Sequence, residues 1–187
     1  MSVSGYHKSS ILSRAARPSD IPSIMAIIRQ AQASIKKLGI DQWQNGYPNE
    51  AVFLSDIEKK QCYVFHIKNE AAGVMVVSFE PEVCYGSISG QGWSSKTDKY
   101  GVIHRMAVSD KYKGGTLAKE MLSFAERLCM EKRVLFLRAD THRGNIPMQK
   151  YLSKNGFLYC GEVILDVEPG DPVRMGYEKV LKPYKSK

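Results

Sequence analysis

Two adjacent glycines stand at the start of a segment with helical periodicity, shortly after an apolar stretch that ends at Val108. Gly114 and Gly115 have no Cβ atom, Lys113 before them adds a positive charge, and Thr116 after them adds a hydroxyl. The first turn of a helix presents unpaired N–H groups and the positive end of the helix dipole, so small residues there favour an anion such as phosphate. The same residues suit a plain strand-to-helix turn, and their spacing is not that of a P-loop. Both interpretations are open at this point.

A histidine in the strand-like segment 102–108 has the chemistry of a general base, because imidazole titrates near neutral pH. Residues two apart in a strand point to the same face, so we expect the His104 side chain to share a face with Val102, Met106 and Val108. The alternative is a packed strand histidine that is hydrogen-bonded to a neighbour.

Three further polar residues are candidates for the same chemistry. His142 follows the next predicted strand and either reaches the same cleft or braces the loop around it. Glu80 and Glu82 end another strand and are either further bases or an ordinary solvated acidic turn. Asp140 and His142 would supply only two metal ligands, so we expect no metal site.

Aromatic residues in two loops, 39–50 and 80–99, are candidates for lining an acceptor site, although for any one of them a place in the core is the favoured interpretation. They are Trp43, Tyr47, Tyr85 and Trp93. Arg105 and Arg138 either bind a carboxylate substrate or pair with Asp140, and we favour the pairing.

The elements that must position these residues alternate between strand and helix patterns. The predicted order is β-α-α-β-β-β-α-β-α-β-β, with strands near 9–16, 62–68, 71–79, 102–108, 134–139, 157–166 and 173–181, and helices from about 19, 49, 117 and 146. The continuous apolar run 134–139 indicates a strand buried on both faces. The β-α-β unit over 102–139 predicts a parallel crossover inside a mixed sheet. No repeat or linker divides the chain, so we expect one α/β (α+β) domain over residues 1–187.

The composition indicates a globular protein, with 187 residues, 43% hydrophobic residues and 25% charged residues. The four cysteines are widely spaced and form no C-x-x-C motif, which is typical of a protein in a reducing compartment. They are Cys62, Cys84, Cys129 and Cys160. We find neither the apolar core of a signal peptide nor a membrane-length apolar segment, so we expect a cytoplasmic protein with no membrane partner. The formal net charge of +8 permits a polyanionic ligand without selecting one.

Two sequence blocks together resemble the GNAT superfamily of N-acetyltransferases. The first, HRMAVSDKYKGGTLAKEML, resembles the strand, pyrophosphate loop and helix of that family, with Lys113 to Ala118 in the six loop positions. The second, LRADTHRGNIPMQKYLSKNGF, carries the N-x-x-[AM]-…-G-F pattern through Asn145, Met148, Gly156 and Phe157. The resemblance implies a mixed central sheet of six to seven strands, a splayed parallel central pair and about four helices.

The resemblance also implies roles for particular residues. Acetyl-CoA would be the cofactor, and its pantetheine arm would pair with the main chain of Met106, Ala107 and Val108. The Val108 N–H would serve as an oxyanion donor. The pyrophosphate would lie on the loop residues Lys113, Gly114, Gly115, Thr116, Leu117 and Ala118, with Asn145 and Met148 beside the pantetheine end.

Many family members have a tyrosine acid seven residues after the asparagine that Asn145 matches, and that position is Leu152 here. Tyr151 is its neighbour, but successive helix residues are about 100° apart, so we expect Tyr151 to face elsewhere.

The expected reaction is transfer of an acetyl group to a primary amine, on a small molecule or a peptide, by direct attack. One alternative is a non-catalytic acyl-CoA-binding module. Another is a nucleic-acid-binding domain, which the sequence does not favour because it has no basic stripe with interleaved aromatic residues. We therefore expect no nucleic acid partner. The closing strands of folds similar to this one often pair across dimers, so a homodimer is left open.

Overall fold

A computed structural model describes residues 11–166 and 170–182 of the chain. Its strands and helices follow the predicted order. They are β1 Ile11–Ala15, α1 Ile21–Lys36, α2 Glu50–Glu58, β2 Cys62–Ile67, β3 Glu70–Ser78, β4 Gly101–Val108, α3 Leu117–Glu131, β5 Phe136–His142, α4 Ile146–Lys154, β6 Leu158–Ile164 and β7 Val173–Val180. Residues 9 and 10 of the predicted first strand lie outside the described residues.

The seven strands form one sheet in the order β1-β2-β3-β4-β5-β7-β6. Every neighbouring pair is antiparallel except β4 and β5, which are parallel. The predicted mixed sheet with a parallel central pair and four helices is thereby confirmed. β4 and β5 pair only from Gly101–Leu137 to Ile103–Ala139, and beyond those residues the two strands separate. The separation opens a cleft in the middle of the sheet.

Apolar side chains cover both faces of the sheet, as expected for strands buried on two sides. The α3 face is the larger core, and it includes Met75, Ile103, Met121 and Leu137. The opposite face carries α1 and α2, with Ile24, Ile28, Phe53 and Val76 among its buried residues. A third cluster lies under the segment between β3 and β4 and contains Tyr85, Tyr100, Val102 and Val163. The two faces of the sheet, and so the two sides of the cleft, are therefore covered by different helices.

A bulge in β4 changes which side chains share a face. Arg105 has φ +50°, and the pairing of β3 with β4 shifts between Val74 and Val76. His104 pairs with Val76 of the α1 and α2 face, whereas Met106 packs in the α3 core. The expectation that His104 shares a face with Met106 and Val108 is therefore wrong, because the extra residue of a bulge resets the alternation of a strand.

The long segment 80–99 between β3 and β4 is anchored to the sheet. The Trp93 Nε1–H donates to the Tyr85 carbonyl at 2.8 Å, and the Arg138 guanidinium lies 4.3 Å from the centre of the Trp93 ring. Arg138 forms a 2.8 Å ion pair with Glu178 that is almost fully buried, at 3% and 2% exposure. The Ser94 N–H donates to the same carboxylate at 2.8 Å. Trp93 therefore packs as a core residue, which is the alternative that the sequence left open for it.

The same segment also covers part of the β6 edge. The main chains of Ser89 and Glu162 exchange two hydrogen bonds, of 2.9 and 3.1 Å. A side chain at Gly161 would collide with the Ser89 carbonyl, because its Cβ atom would overlap that oxygen. Glycine is therefore required where the segment crosses the strand.

Among the described residues, no helix is both long and apolar enough to cross a membrane.

Candidate functional site

The strand separation brings one residue of β4 and one of β5 together at its mouth. Ile103 and Ala139 form the last pair between these strands, and both side chains lie in the α3 core. Because successive strand residues point to opposite faces, His104 and Asp140 both point to the face of α1 and α2. They are the first residues of their strands beyond the paired region, so the mouth of the cleft carries an imidazole and a carboxylate.

The main chain of β4 beyond this point has an open edge toward the cleft. The Ser109 N–H donates to the Ala72 carbonyl of β3 at 2.9 Å. Main-chain groups of successive strand residues point to opposite edges, so those of Val108 and Met106 point toward the separated β5. The Ala107 main chain points back toward its β3 partner Val74. Val108 and Met106 therefore offer main-chain donors and acceptors to a molecule inside the cleft.

His104 is paired with a carboxylate from the β3–β4 segment. Its Nε2 lies 2.9 Å from Glu82 Oε1, and both side chains are partly exposed, at 21% for His104 and 32% for Glu82. The hydrogen bond from the imidazole holds the pKa of the Glu82 carboxyl below its usual range. The histidine is thus neither unpartnered nor enclosed, and it remains accessible from the cleft.

A second polar group beside His104 consists of Arg105, Asp56 and Tyr47. Arg105 Nη1 contacts both carboxylate oxygens of Asp56 at 3.0 and 2.9 Å. Its Nε–H donates to the Tyr47 hydroxyl at 2.9 Å. Arg105 is already neutralised by Asp56 of α2, and Arg138 by Glu178. The expectation that Arg105 or Arg138 pairs with Asp140 is therefore wrong. Neither arginine is left free for a carboxylate of a substrate.

Asp140 is held by a buried tyrosine instead. The Tyr85 hydroxyl donates to Asp140 Oδ2 at 2.7 Å. Burial raises the pKa of Tyr85 well above its usual value, so the phenol keeps the proton that it donates. Among residues 11–166 and 170–182, no cationic side chain forms an ion pair with Asp140. The carboxylates of Asp140 and Glu82 therefore make the mouth of the cleft negative.

Glu80, a sequence candidate for the base, is directed away from this group. Its carboxylate accepts from Lys59 Nζ at 2.9 Å and from Gln61 Nε2 at 3.0 Å, at the exposed surface. The structure does not bring it to His104, and Glu82 takes that place.

His142 braces three loops. Its Nδ1 accepts from the Gly144 N–H at 2.9 Å, and its Nε2 lies 3.5 Å from Asp41 Oδ1 and 3.3 Å from Asp171 Oδ2. The ring is 6% exposed. Of the two interpretations that the sequence left open, the loop brace is the one that these contacts support.

The glycine turn forms an exposed helix start. Gly114 has φ +77°, which only glycine adopts without strain, and a Cβ atom there would meet nothing within 4 Å. A Cβ atom on Gly115 would meet only the Tyr112 carbonyl, at 3.5 Å. Thr116 precedes α3 without a side-chain cap, and the first helical hydrogen bond runs from the Glu120 N–H to the Thr116 carbonyl. The preceding N–H groups therefore have no helical partner, and an anionic group fits here.

The remaining loop residues are also in contact with the protein. Lys113 Nζ lies 2.5 Å from Asp110 Oδ1 and donates to Ser34 Oγ at 2.9 Å, so its charge is partly offset. Leu117 is buried in the α3 core. The Ala118 carbonyl accepts from the Tyr151 hydroxyl at 2.7 Å. Tyr151 therefore faces α3, which fits the expectation that it faces away from the position of Leu152, and Leu152 is fully buried.

Asn145 caps the start of α4. Its Oδ1 accepts from the Met148 N–H at 3.3 Å, and its Nδ2 donates to Gln42 of the α1–α2 loop at 3.0 Å. Met148 is half-buried against the α3 core. Trp43, in the same α1–α2 loop, packs on the core of α1 and α2. The loop that carries Tyr47 is thus fixed to α4.

Sequence reasoning missed Asp56 and Tyr100 and gave Glu82 and Asp140 no definite place. Asp140 had a signal, because it is the first polar residue after the apolar run 134–139. Asp56 had none, since its role depends on the bulge that turns Arg105 toward α2.

A family model described as acetyltransferase (GNAT) family matches residues 30–157, more than half of the chain. No curated protein sequence matches the chain significantly. Among solved structures, an acetyltransferase of the GNAT family from Streptococcus agalactiae is 33% identical, with a TM-score of 0.84, over 96% of this chain and 99% of that one.

Two further structures extend the likeness. A GNAT-family acetyltransferase from Listeria monocytogenes is 26% identical, with a TM-score of 0.68, over 91% of this chain and 95% of that one. The PaiA N-acetyltransferase from Thermoplasma acidophilum, solved in complex with coenzyme A, is 18% identical, with a TM-score of 0.64. It covers 91% of this chain over 99% of its own length, and at this identity it supports the fold alone.

Proposed function

Because the chain belongs to the GNAT acetyltransferase family, and is thus an acyl-CoA-dependent N-acetyltransferase, we propose that it transfers the acetyl group of acetyl-CoA to a primary amine by direct attack in a ternary complex. The observation that carries this proposal is the separation of β4 from β5, with His104 and Asp140 at its mouth. An acyl donor requires open main-chain groups to bind it, and an amine requires a titratable side chain to take its proton. The cleft has both.

The residues that would hold acetyl-CoA line the cleft and the start of α3. They are Met106, Ala107 and Val108 for the pantetheine arm, Lys113, Gly114, Gly115, Thr116, Leu117 and Ala118 for the pyrophosphate, and Asn145 and Met148 at the thioester end. The N–H groups from Gly114 to Lys119, which have no partner among the described residues, support this assignment. When bound, acetyl-CoA supplies a thioester whose carbonyl carbon bonds to the amine nitrogen as the carbon–sulfur bond breaks.

Two groups of the chain would act on the reaction. Alkylamines are mostly protonated at neutral pH and must lose a proton before they attack, and His104 would take that proton. The Val108 N–H, on the open edge of β4, would donate to the oxygen on which negative charge develops. Since Leu152 is buried and Tyr151 is bonded to α3, the thiolate would leave unaided or take its proton from water.

The acceptor would enter on the face of α1 and α2, past the exposed Tyr47. Tyr85 is buried and packs as a core residue, which is the alternative that the sequence left open for it. Both tyrosine hydroxyls already bond to charged groups of the mouth, Arg105 and Asp140. An ammonium group is attracted to the negative mouth, whereas a carboxylate there would meet no unpaired guanidinium. We therefore expect an amine without a nearby carboxylate, on a small molecule or a peptide.

The first test is calorimetric titration of acetyl-CoA into the purified protein, followed by thiol release with a panel of amines. We expect micromolar or tighter binding and amine-dependent thiol release. Binding without release for every amine would leave a non-catalytic acyl-CoA-binding module. If acetyl-CoA does not bind, the proposed acetyl-CoA site is contradicted. A double-stranded oligonucleotide serves as the control for binding that is driven by charge alone.

A further inference from the structure

We infer that Glu82 is a positioning residue, which fixes the tautomer and orientation of His104 so that Nδ1 faces the acceptor amine as the proton acceptor. The inference rests on the proposed acetyl transfer and assigns a role to a residue outside the family's sequence blocks. The evidence is the contact between the two side chains, the anchoring of Glu82 and the charges around the pair.

The contact determines which imidazole nitrogen carries the proton. Glu82 Oε1 lies 2.9 Å from His104 Nε2, and an ionised carboxylate can only accept a hydrogen bond. Nε2 of the neutral ring must therefore carry the proton, which leaves the lone pair on Nδ1. No residue of the described ranges donates to Nδ1. A base needs one free lone pair toward its substrate, and this arrangement provides it.

The carboxylate is held by a rigid part of the fold. The Glu82 N–H donates to the Tyr100 hydroxyl at 2.8 Å. Tyr100 is 5% exposed, and the Arg138 guanidinium lies 3.9 Å from the centre of its ring. Arg138 in turn is fixed by the buried pair with Glu178. The main chain of Glu82 is thus fixed to Tyr100, and from there the side chain reaches His104.

Glu82 is the carboxylate that contacts the His104 ring, because the charged groups on the neighbouring elements have other partners. On α2, Asp56 is neutralised by Arg105 of β4. Lys59, just after α2, is bound by Glu80. Asp140 of β5 lies across the mouth and bonds to Tyr85.

An imidazolium formed at His104 would therefore be stabilised first by Glu82. When Nδ1 of His104 takes a proton from the acceptor amine, both ring nitrogens carry a proton. The positive charge of the ring then lies against the Glu82 carboxylate. No atom of Glu82 gains or loses a bond in this step.

The test compares Glu82→Gln with Glu80→Gln. Both variants remove one negative charge, and Glu80 lies two residues away with partners at the surface. We expect Glu82→Gln to lower kcat by about 100-fold and to move the acid limb of kcat/KM to lower pH, because the imidazolium loses its partner. We expect Glu80→Gln to stay within about twofold of the wild type, since exposed pairs contribute little.

A spectroscopic readout separates positioning from folding. Nitrogen NMR of the imidazole should show the Nε2–H tautomer in the wild type and in Glu80→Gln, and a mixture of tautomers in Glu82→Gln. Acetyl-CoA affinity, measured by calorimetry, should be equal in all three proteins.

Two results would overturn the inference. An active wild type whose pH profile and tautomer are unchanged in Glu82→Gln would refute the role of Glu82 and leave acetyl transfer intact. A wild type that releases no thiol with any amine would refute the proposed function, and the role of Glu82 with it.

Discussion

At the mouth of the cleft, two carboxylates act on different partners. Glu82 bonds to the imidazole of His104, whereas Asp140 bonds to a phenol and has no cationic partner among the residues described. A neutral hydroxyl does not offset the charge of a carboxylate as a cationic partner would. We therefore propose that Asp140 attracts an ammonium ion to the site.

We predict that Asp140→Asn weakens use of the amine without harming the fold. The Tyr85 hydroxyl can donate to the amide oxygen of Asn as it does to the carboxylate, so the local hydrogen bond remains. Loss of one charge at contact distance should lower kcat/KM for the amine by about tenfold. Steady-state kinetics with the amine varied would show this, and the KM for acetyl-CoA should not move. An equal rise in the KM for the amine and in the KM for acetyl-CoA would indicate general damage to the protein.

Among the elements, the bulge in β4 has the largest consequence for chemistry. With Arg105 at φ +50°, His104 lies on the face of α1 and α2 while Met106 and Val108 lie on the face of α3. A regular strand would place all three on one face. The bulge thus separates the proposed base from the residues of the proposed donor site.

The start of α3 gives a prediction about donor binding. Gly115→Glu should weaken acetyl-CoA binding by about 100-fold, because it puts a negative charge beside the free N–H groups that would hold the pyrophosphate. Gly115→Ala is the matched control, since its Cβ would make an ordinary 3.5 Å contact with Tyr112. Calorimetric titration measures both. Equal affinities of the Glu variant and the wild type would show that the phosphates lie elsewhere.

The anchoring of the 80–99 segment gives a prediction about stability. Arg138→Ala leaves Glu178 as a buried charge without its partner, which should lower the free energy of unfolding by about 3–5 kcal/mol. Lys59→Ala, which breaks the exposed pair with Glu80, should leave it almost unchanged, because solvent screens such pairs. Urea denaturation compares them. A small effect of Arg138→Ala would mean that the segment is not held through this pair.

Over the whole molecule, charge is distributed unevenly. The chain has a formal net charge of +8, yet the mouth of the cleft carries the carboxylates of Glu82 and Asp140. A positive molecule favours approach of a polyanionic donor such as acetyl-CoA, and a negative mouth favours an ammonium acceptor. The two proposed substrates would therefore be attracted to different regions.

The cysteines give a prediction for the folded molecule as a whole. All four are free, and burial raises the pKa of Cys62 and Cys129 to about 12 and that of Cys84 to about 11. A raised pKa lowers the thiolate fraction, and the thiolate is the reactive form. We expect these thiols to react slowly with a thiol reagent at pH 8 in the native protein and quickly in denaturant. Fast native labelling, counted by mass spectrometry, would contradict this packing.

Much of the architecture and the glycine turn was predictable from the sequence. Short-range patterns carry that information: apolar periodicity defined the helices, the run 134–139 indicated a buried central strand, and the helices predicted from about 49 and 146 are confirmed. The two sequence blocks identified the family because both lie in continuous stretches. One domain over residues 1–187 remains a prediction, as does a homodimer.

Only the tertiary structure decided which polar groups meet. Glu82 reaches His104 across 22 positions, Arg105 reaches Asp56 across 49, and Tyr85 reaches Asp140 across 55. No local pattern encodes such contacts, because they depend on strand register, on one extra residue in β4 and on the path of a long loop. The sequence determined which elements form, and the register of β4 between β3 and β5 determined which side chains face the cleft.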